Sequence, residues 1–138
     1  MLTYYITSLL TSISSFSLGA FVFYKNPKNP LHRSLLRLNI VVALWSLLLF
    51  LHYISKTEEA ALSTSRLLHM PAVLIPSCFL HFILHLLGIK DRRSLRLSYA
   101  LSSIFMVLAV TPYFITGVEP KLHFRFYATA GFLYAFWI

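Results

Sequence analysis

Charge is scarce in this chain. Of its 138 residues only 12% are Asp, Glu, Lys or Arg, against about 25% in an ordinary soluble domain, so a normally charged, water-facing shell cannot be assembled. Cysteine is nearly missing. Cys78 stands alone, which excludes a disulfide framework and a paired-thiol metal site and leaves it as a small packing residue. Four glycines offer no glycine-rich loop to cradle a phosphate. The four acids, Glu58, Glu59, Asp91 and Glu119, all lie in polar stretches between apolar blocks. A proton- or cation-coupled carrier ordinarily keeps an acid inside the membrane, and no Ser/His/Asp set or paired carboxylates suggest catalysis. No catalytic residue, metal site or cofactor is expected, and the chain by itself is not expected to be an enzyme.

What the chain has is apolar surface. Hydrophobic residues make up 58% and aromatics 16%, more than can stay in water, which rules out disorder. They form blocks near the ~20 residues that a helix needs to cross ~30 Å of hydrocarbon: about Thr3 to Tyr24, Ser34 to Ile54, Leu67 to Ile89, Leu97 to Thr116, and Phe126 to Ile138. The fifth block reaches only roughly 20 Å and reads as cut off. The expected fold is all-α: a polytopic, multi-pass helical membrane protein with four full transmembrane helices plus a truncated fifth. With no repeats or linkers, residues 1–138 form one domain embedded in the lipid bilayer.

Lys and Arg set the direction. Lys25, Lys28, Arg33 and Arg37 surround the first connection, and Lys90, Arg92, Arg93 and Arg96 the third; together they are eight of twelve. These are cytoplasmic anchors, which places the N-terminus outside and points a fifth span inward toward a continuation. The net charge of +8 is thereby explained by topology, and loops this short build no element that reads nucleic acid. The first block lacks the basic start and small-residue cleavage site of a signal peptide and is read as a retained helix.

Polar residues inside the blocks are the candidate functional groups. Ser8, Ser12, Ser15 and Gly19 share one helical face and suit a close helix contact, within the chain or in a homodimer. Trp45 lies mid-span, where burial or ligand stacking are the alternatives. Pro71 and Pro76 interrupt the third span, and Pro76 is expected to bend it near Ala72. His81 and His85, four apart, face the same way, and an ionisable group at that depth is a functional candidate. Interhelical hydrogen bonding, a pH- or ligand-responsive cluster, and haem or metal ligation remain open for this pair. His52 and His69 sit at matching depth near the other end of their spans, where a cross-helix pair is the expectation.

The segments YKNPKNPLHRSLLRLNIVVALWSLLLFL and PSCFLHFILHLLG resemble the N-terminal seven-transmembrane region of bacterial membrane-bound sensor histidine kinases. The matching positions are Asn26, Pro27, Asn29, Pro30, Trp45, Pro76, Phe79, His81, Phe82 and His85, and the resemblance covers about the first four and a half spans. It implies a bacterial inner-membrane signal-input module of a two-component system, with a cytoplasmic kinase domain in cis that these residues do not include. None of the six histidines is expected to be the phosphoacceptor. A stand-alone small membrane protein, either a complex subunit or a carrier, is the alternative, with a haem-binding protein third.

Overall fold

The computed structural model describes residues 2–122 and 124–136. Four helices come first: α1 (Leu2–Lys25), α2 (Pro30–Ile54), α3 (Glu58–Leu86) and α4 (Arg92–Ala109). Two antiparallel strands follow, β1 (Ile115–Lys121) and β2 (Phe124–Ala130), then a short 3₁₀ helix, Phe132–Phe136. The helices α1, α2 and α3 are each long and apolar enough to cross a membrane.

Local chemistry sets most boundaries. Asn29 caps α2 by accepting from the Leu31 N–H at 2.9 Å, and Pro30 follows at the first position, where a missing N–H matters least. Thr57 caps α3 by accepting from the Ala60 N–H, with Glu58 and Glu59 in the first turn, the charge that a helix start favours. The helix ends on Gly88 at φ +68, where the Ile89 N–H donates to the Leu84 carbonyl and the Gly88 N–H to that of His85. A left-handed residue closing these two bonds is what glycine permits. Asp91 caps α4 by accepting from the Arg93 and Ser94 amides.

Neighbouring helices run antiparallel. Tyr4 meets Tyr53 and Ser12 meets Ala43, while Gly19 faces Asn39. The stripe expected on α1 is this contact: Ser8, Ser12 and Gly19 are buried, and the Ser12 hydroxyl donates to the Ala43 carbonyl at 2.8 Å. Opposite faces of α1 and α4 leave Leu10, Ile13, Phe16, Leu101 and Val107 exposed. Short connections put the eight basic residues at one end of the bundle, called here the basic end. The hairpin packs at the other, where Val73, Ala109, Phe114 and Ile115 form a buried cluster.

The structure corrects the sequence reading at several boundaries: α3 begins at Glu58 instead of Leu67 and α4 at Arg92 instead of Leu97, since their first turns are polar and set by caps. The fourth block was expected to continue to Thr116, but α4 stops at Ala109. Pro112 has no N–H to offer the Leu108 carbonyl, which accepts from the Thr111 amide and hydroxyl instead. The fifth block was expected to be helical from Phe126. Its first residues are strand, because Phe124-Arg-Phe-Tyr-Ala-Thr-Ala leaves Phe124, Phe126 and Ala128 half-buried and Arg125 and Tyr127 more exposed, the period-two pattern of a strand. Trp137 and Ile138 lie outside the described residues.

Two expectations follow. A Cβ at Gly19 would stand 2.7 Å from the Asn39 Cβ, an atom that moves only with its backbone. Gly19→Ala is expected to destabilise the helix pair by about 1–3 kcal/mol, read as a lower midpoint of SDS-induced unfolding in mixed micelles. Hydrogen bonds from the Ser94 hydroxyl and N–H, and from the Arg93 N–H, hold the Asp91 carboxyl below its ordinary value of 3.8. A lowered folded value means that the cap is intact above the unfolded value and is lost as pH falls through the folded one. Corrected amide exchange at Arg93 and Ser94 should therefore accelerate on acidification below pH 3.8, and Asp91→Ala should be fast at every pH.

Candidate functional site

Two polar centres lie between the helices. The first joins α3 to α4. Ser98 and Ser102 contact the Ser77 hydroxyl at 2.6 and 2.7 Å, and the Ser102 hydroxyl donates to the Val73 carbonyl at 2.8 Å. A hydroxyl has one proton, so the consistent direction is Ser98 to Ser77 to Ser102 to Val73. Pro76 lies beside this chain and lines a small cavity with Ser77, Ser98 and Ser102. Having no N–H, it also frees the Ala72 carbonyl within α3.

One turn further toward the basic end, the His81 Nδ1 lies 3.1 Å from the Tyr99 hydroxyl, which donates to the Cys78 sulfur at 3.7 Å. His81 and His85 stack with ring centres 4.7 Å apart. The His85 Nδ1 is buried without a hydrogen-bond partner among the described residues. Both rings face a cavity of about 400 Å³ that Lys90, Asp91 and Arg92 also line. Among the described residues, no three of His, Cys, Asp and Glu gather as metal ligands do.

The second centre lies under the hairpin. His52 is buried near the end of α2, with its Nδ1 3.0 Å from the Ala61 carbonyl of α3 and its Nε2 3.2 Å from the Phe126 carbonyl of β2. A neutral imidazole has one N–H, so it donates to one of these carbonyls, and only the imidazolium donates to both. Arg66 of α3 donates through Nε and Nη2 to the Ile115 carbonyl at 3.3 and 3.2 Å. Tyr53 stacks on Phe124 at 5.4 Å, and Tyr4 meets the same ring edge-on. The strands are thus tied to all of the first three helices. Beneath them is a cavity of about 330 Å³ lined by His52, His69, Ser65, Tyr53, Tyr127 and Tyr134, among others.

The histidines anticipated from spacing therefore fall into two groups. His81 and His85 meet each other and α4; His52 and His69 line one cavity at the opposite end, and the His69 Nδ1 lies 2.7 Å from the Ser65 carbonyl of its own helix. Trp45 is half-buried in mid-helix. Among the anchors, the Arg33 Nε donates to the Pro27 carbonyl at 2.8 Å and the Arg96 Nε to that of Arg92 at 3.2 Å. Lys25 sits over the Phe21 ring, and Arg37 is exposed. Sequence reasoning missed Ser65, Arg66, Ser77, Tyr99, Ser98 and Ser102. A four-residue spacing from Ser98 to Ser102 facing Ser77 was the available signal, but its use required the register of α4 on α3.

The sequence model of a family described as the N-terminal 7TM region of histidine kinase matches residues 7–138. No curated protein and no solved structure matches the chain.

The attachment of the hairpin can be tested directly. Replacing a buried group that bonds two elements removes about 1–3 kcal/mol of local stability. His52→Ala is expected to speed amide exchange within residues 115–130 at least about fivefold, while the middle of α2 stays protected.

Proposed function

The chain belongs to the family formed by the N-terminal seven-transmembrane region of histidine kinases, a multi-pass membrane sensor region in signal transduction, and from that premise we propose how it works. Residues 1–138 act as one input unit in which α1 to α4 each cross the bilayer. The basic loops lie in the cytoplasm and the N-terminus and hairpin outside, as the distribution of Lys and Arg favours. The eighteen residues of α4 extend about 27 Å, and its arginines at the basic end can snorkel to headgroups. The host is the bacterial inner membrane, and the output is a kinase domain in cis, working as a homodimer.

The observation that carries this reading is the polar contact between α3 and α4. Lipid supplies no competing hydrogen bonds, so each rearrangement of Ser98, Ser77, Ser102, His81 and Tyr99 exchanges one protein partner for another. Interhelical bonds of this kind contribute about 1 kcal/mol or less each. That is small enough to be remade and large enough to bias two packings that differ by a few kcal/mol. Pro76 supplies the place where α3 changes shape, and His81 and His85 distinguish the two packings beside the cytoplasmic anchors Lys90, Arg92, Arg93 and Arg96. A shift of α3 against α4 then leaves the membrane at the basic end, where an output helix would receive it.

The test replaces His81 and His85 together by leucine in the full-length protein reconstituted in proteoliposomes. Removal of a bias of about 1 kcal/mol should change basal autophosphorylation about fivefold without lowering the amount of folded protein. An unchanged basal rate and an unchanged response would remove the histidines from the mechanism.

A further inference from the structure

Ser65 of α3 lines the cavity under the hairpin. Ser65 is fully buried and its Oγ has no partner among the described residues. The reason is local. A helical serine normally donates to the carbonyl four residues back, here that of Ala61, but this oxygen already faces the His52 Nδ1 at 3.0 Å, while the neighbouring Thr64 hydroxyl turns to the Ala60 carbonyl at 2.7 Å. The Ala61 carbonyl also carries the ordinary helical bond. Ser65 is left lining a space of about 330 Å³, within the lower range of small-molecule sites.

We propose that this cavity binds a small uncharged molecule, mainly apolar and aromatic, that carries one hydrogen-bonding group for the Ser65 hydroxyl. Its lining contains no Asp, Glu, Lys or Arg, so a charged ligand would lose its hydration without compensation. Tyr53, Phe124, Phe126, Tyr127 and Tyr134 supply ring faces and edges that suit a planar apolar body. The buried Ser65 Oγ, without a partner among the described residues, accounts for that one hydrogen-bonding group. Because β2 forms the roof and is held by His52, occupancy also bears on the contact between α2, α3 and the hairpin. As the stimulus of a sensor this ligand rests on the function proposed above; as a binding site it does not.

The probe is p-cresol, with toluene as its counterpart without a hydroxyl and p-hydroxybenzoate as its anionic one. Each is measured by equilibrium dialysis against the full-length protein in nanodiscs, with empty nanodiscs subtracted. Saturable p-cresol binding is expected, weakened about two- to tenfold by Ser65→Ala, with toluene insensitive to that substitution and p-hydroxybenzoate far weaker. Removal of an unbonded buried hydroxyl should leave the ligand-free protein as stable as before or more so, which separates loss of the site from loss of the fold. No saturable p-cresol uptake, as when a lipid chain already fills the space, or equal affinity in Ser65→Ala, overturns the site. Binding that behaves as expected but leaves autophosphorylation unchanged keeps the site and overturns its role as the stimulus.

Discussion

Side chains that reach across to the backbone carbonyl of a neighbouring element hold this bundle in register. Ser12 does so to Ala43 between α1 and α2, His52 to Ala61 between α2 and α3, and Ser102 to Val73 between α3 and α4. Arg66 does the same between α3 and β1. Apolar contact alone cannot set these positions in lipid, since a leucine exchanges one hydrocarbon neighbour for another at little difference in free energy. A hydroxyl or imidazole removed from water must find a partner at one depth and one rotation. Each such bond therefore fixes a register that the apolar residues only permit.

The same fact explains what could be read from the sequence. Apolar blocks located α1 to within one residue at each end and the end of α2, whose start they put four residues late, at Ser34 instead of Pro30, and serine spacing identified the face of α1 that meets α2. The start of α3 was placed nine residues late, at Leu67 instead of Glu58, because its first turns are polar and announced by a cap instead of by hydropathy. The hairpin was mistaken for the start of a helix because its aromatic content is high, and length of apolar run was weighed over the two-residue alternation of Phe124 to Ala128. In the candidate site, His81 and His85 were visible from their own spacing. Their partners on α4 were not, since Tyr99 becomes a partner only once register is known. Several of the bonds between elements end on a backbone carbonyl, which has no letter in the sequence.

The two ends of the bundle differ in kind. At the basic end the connections are short and capped, by Asn29 before α2 and by Gly88 and Asp91 between α3 and α4. Capped ends of this kind leave the two connections few backbone conformations. At the opposite end the hairpin is attached by a few side chains over a cavity. That arrangement can reorganise by breaking one or two bonds, whereas the same change among close-packed helices would displace whole faces.

The element that connects them is α3, which contacts α2, α4 and both strands. Ser65, His69, Val73, Ser77, His81 and His85 follow one another at intervals of four. At 3.6 residues per turn each interval advances about 40° around the axis, so the row winds instead of running straight. Its first members face the hairpin cavity, Val73 and Ser77 meet α4, and the last two reach the basic-end cavity. A screw motion of α3 by one such step, about 40° around the axis with about 6 Å along it, would carry each member to the place its neighbour held.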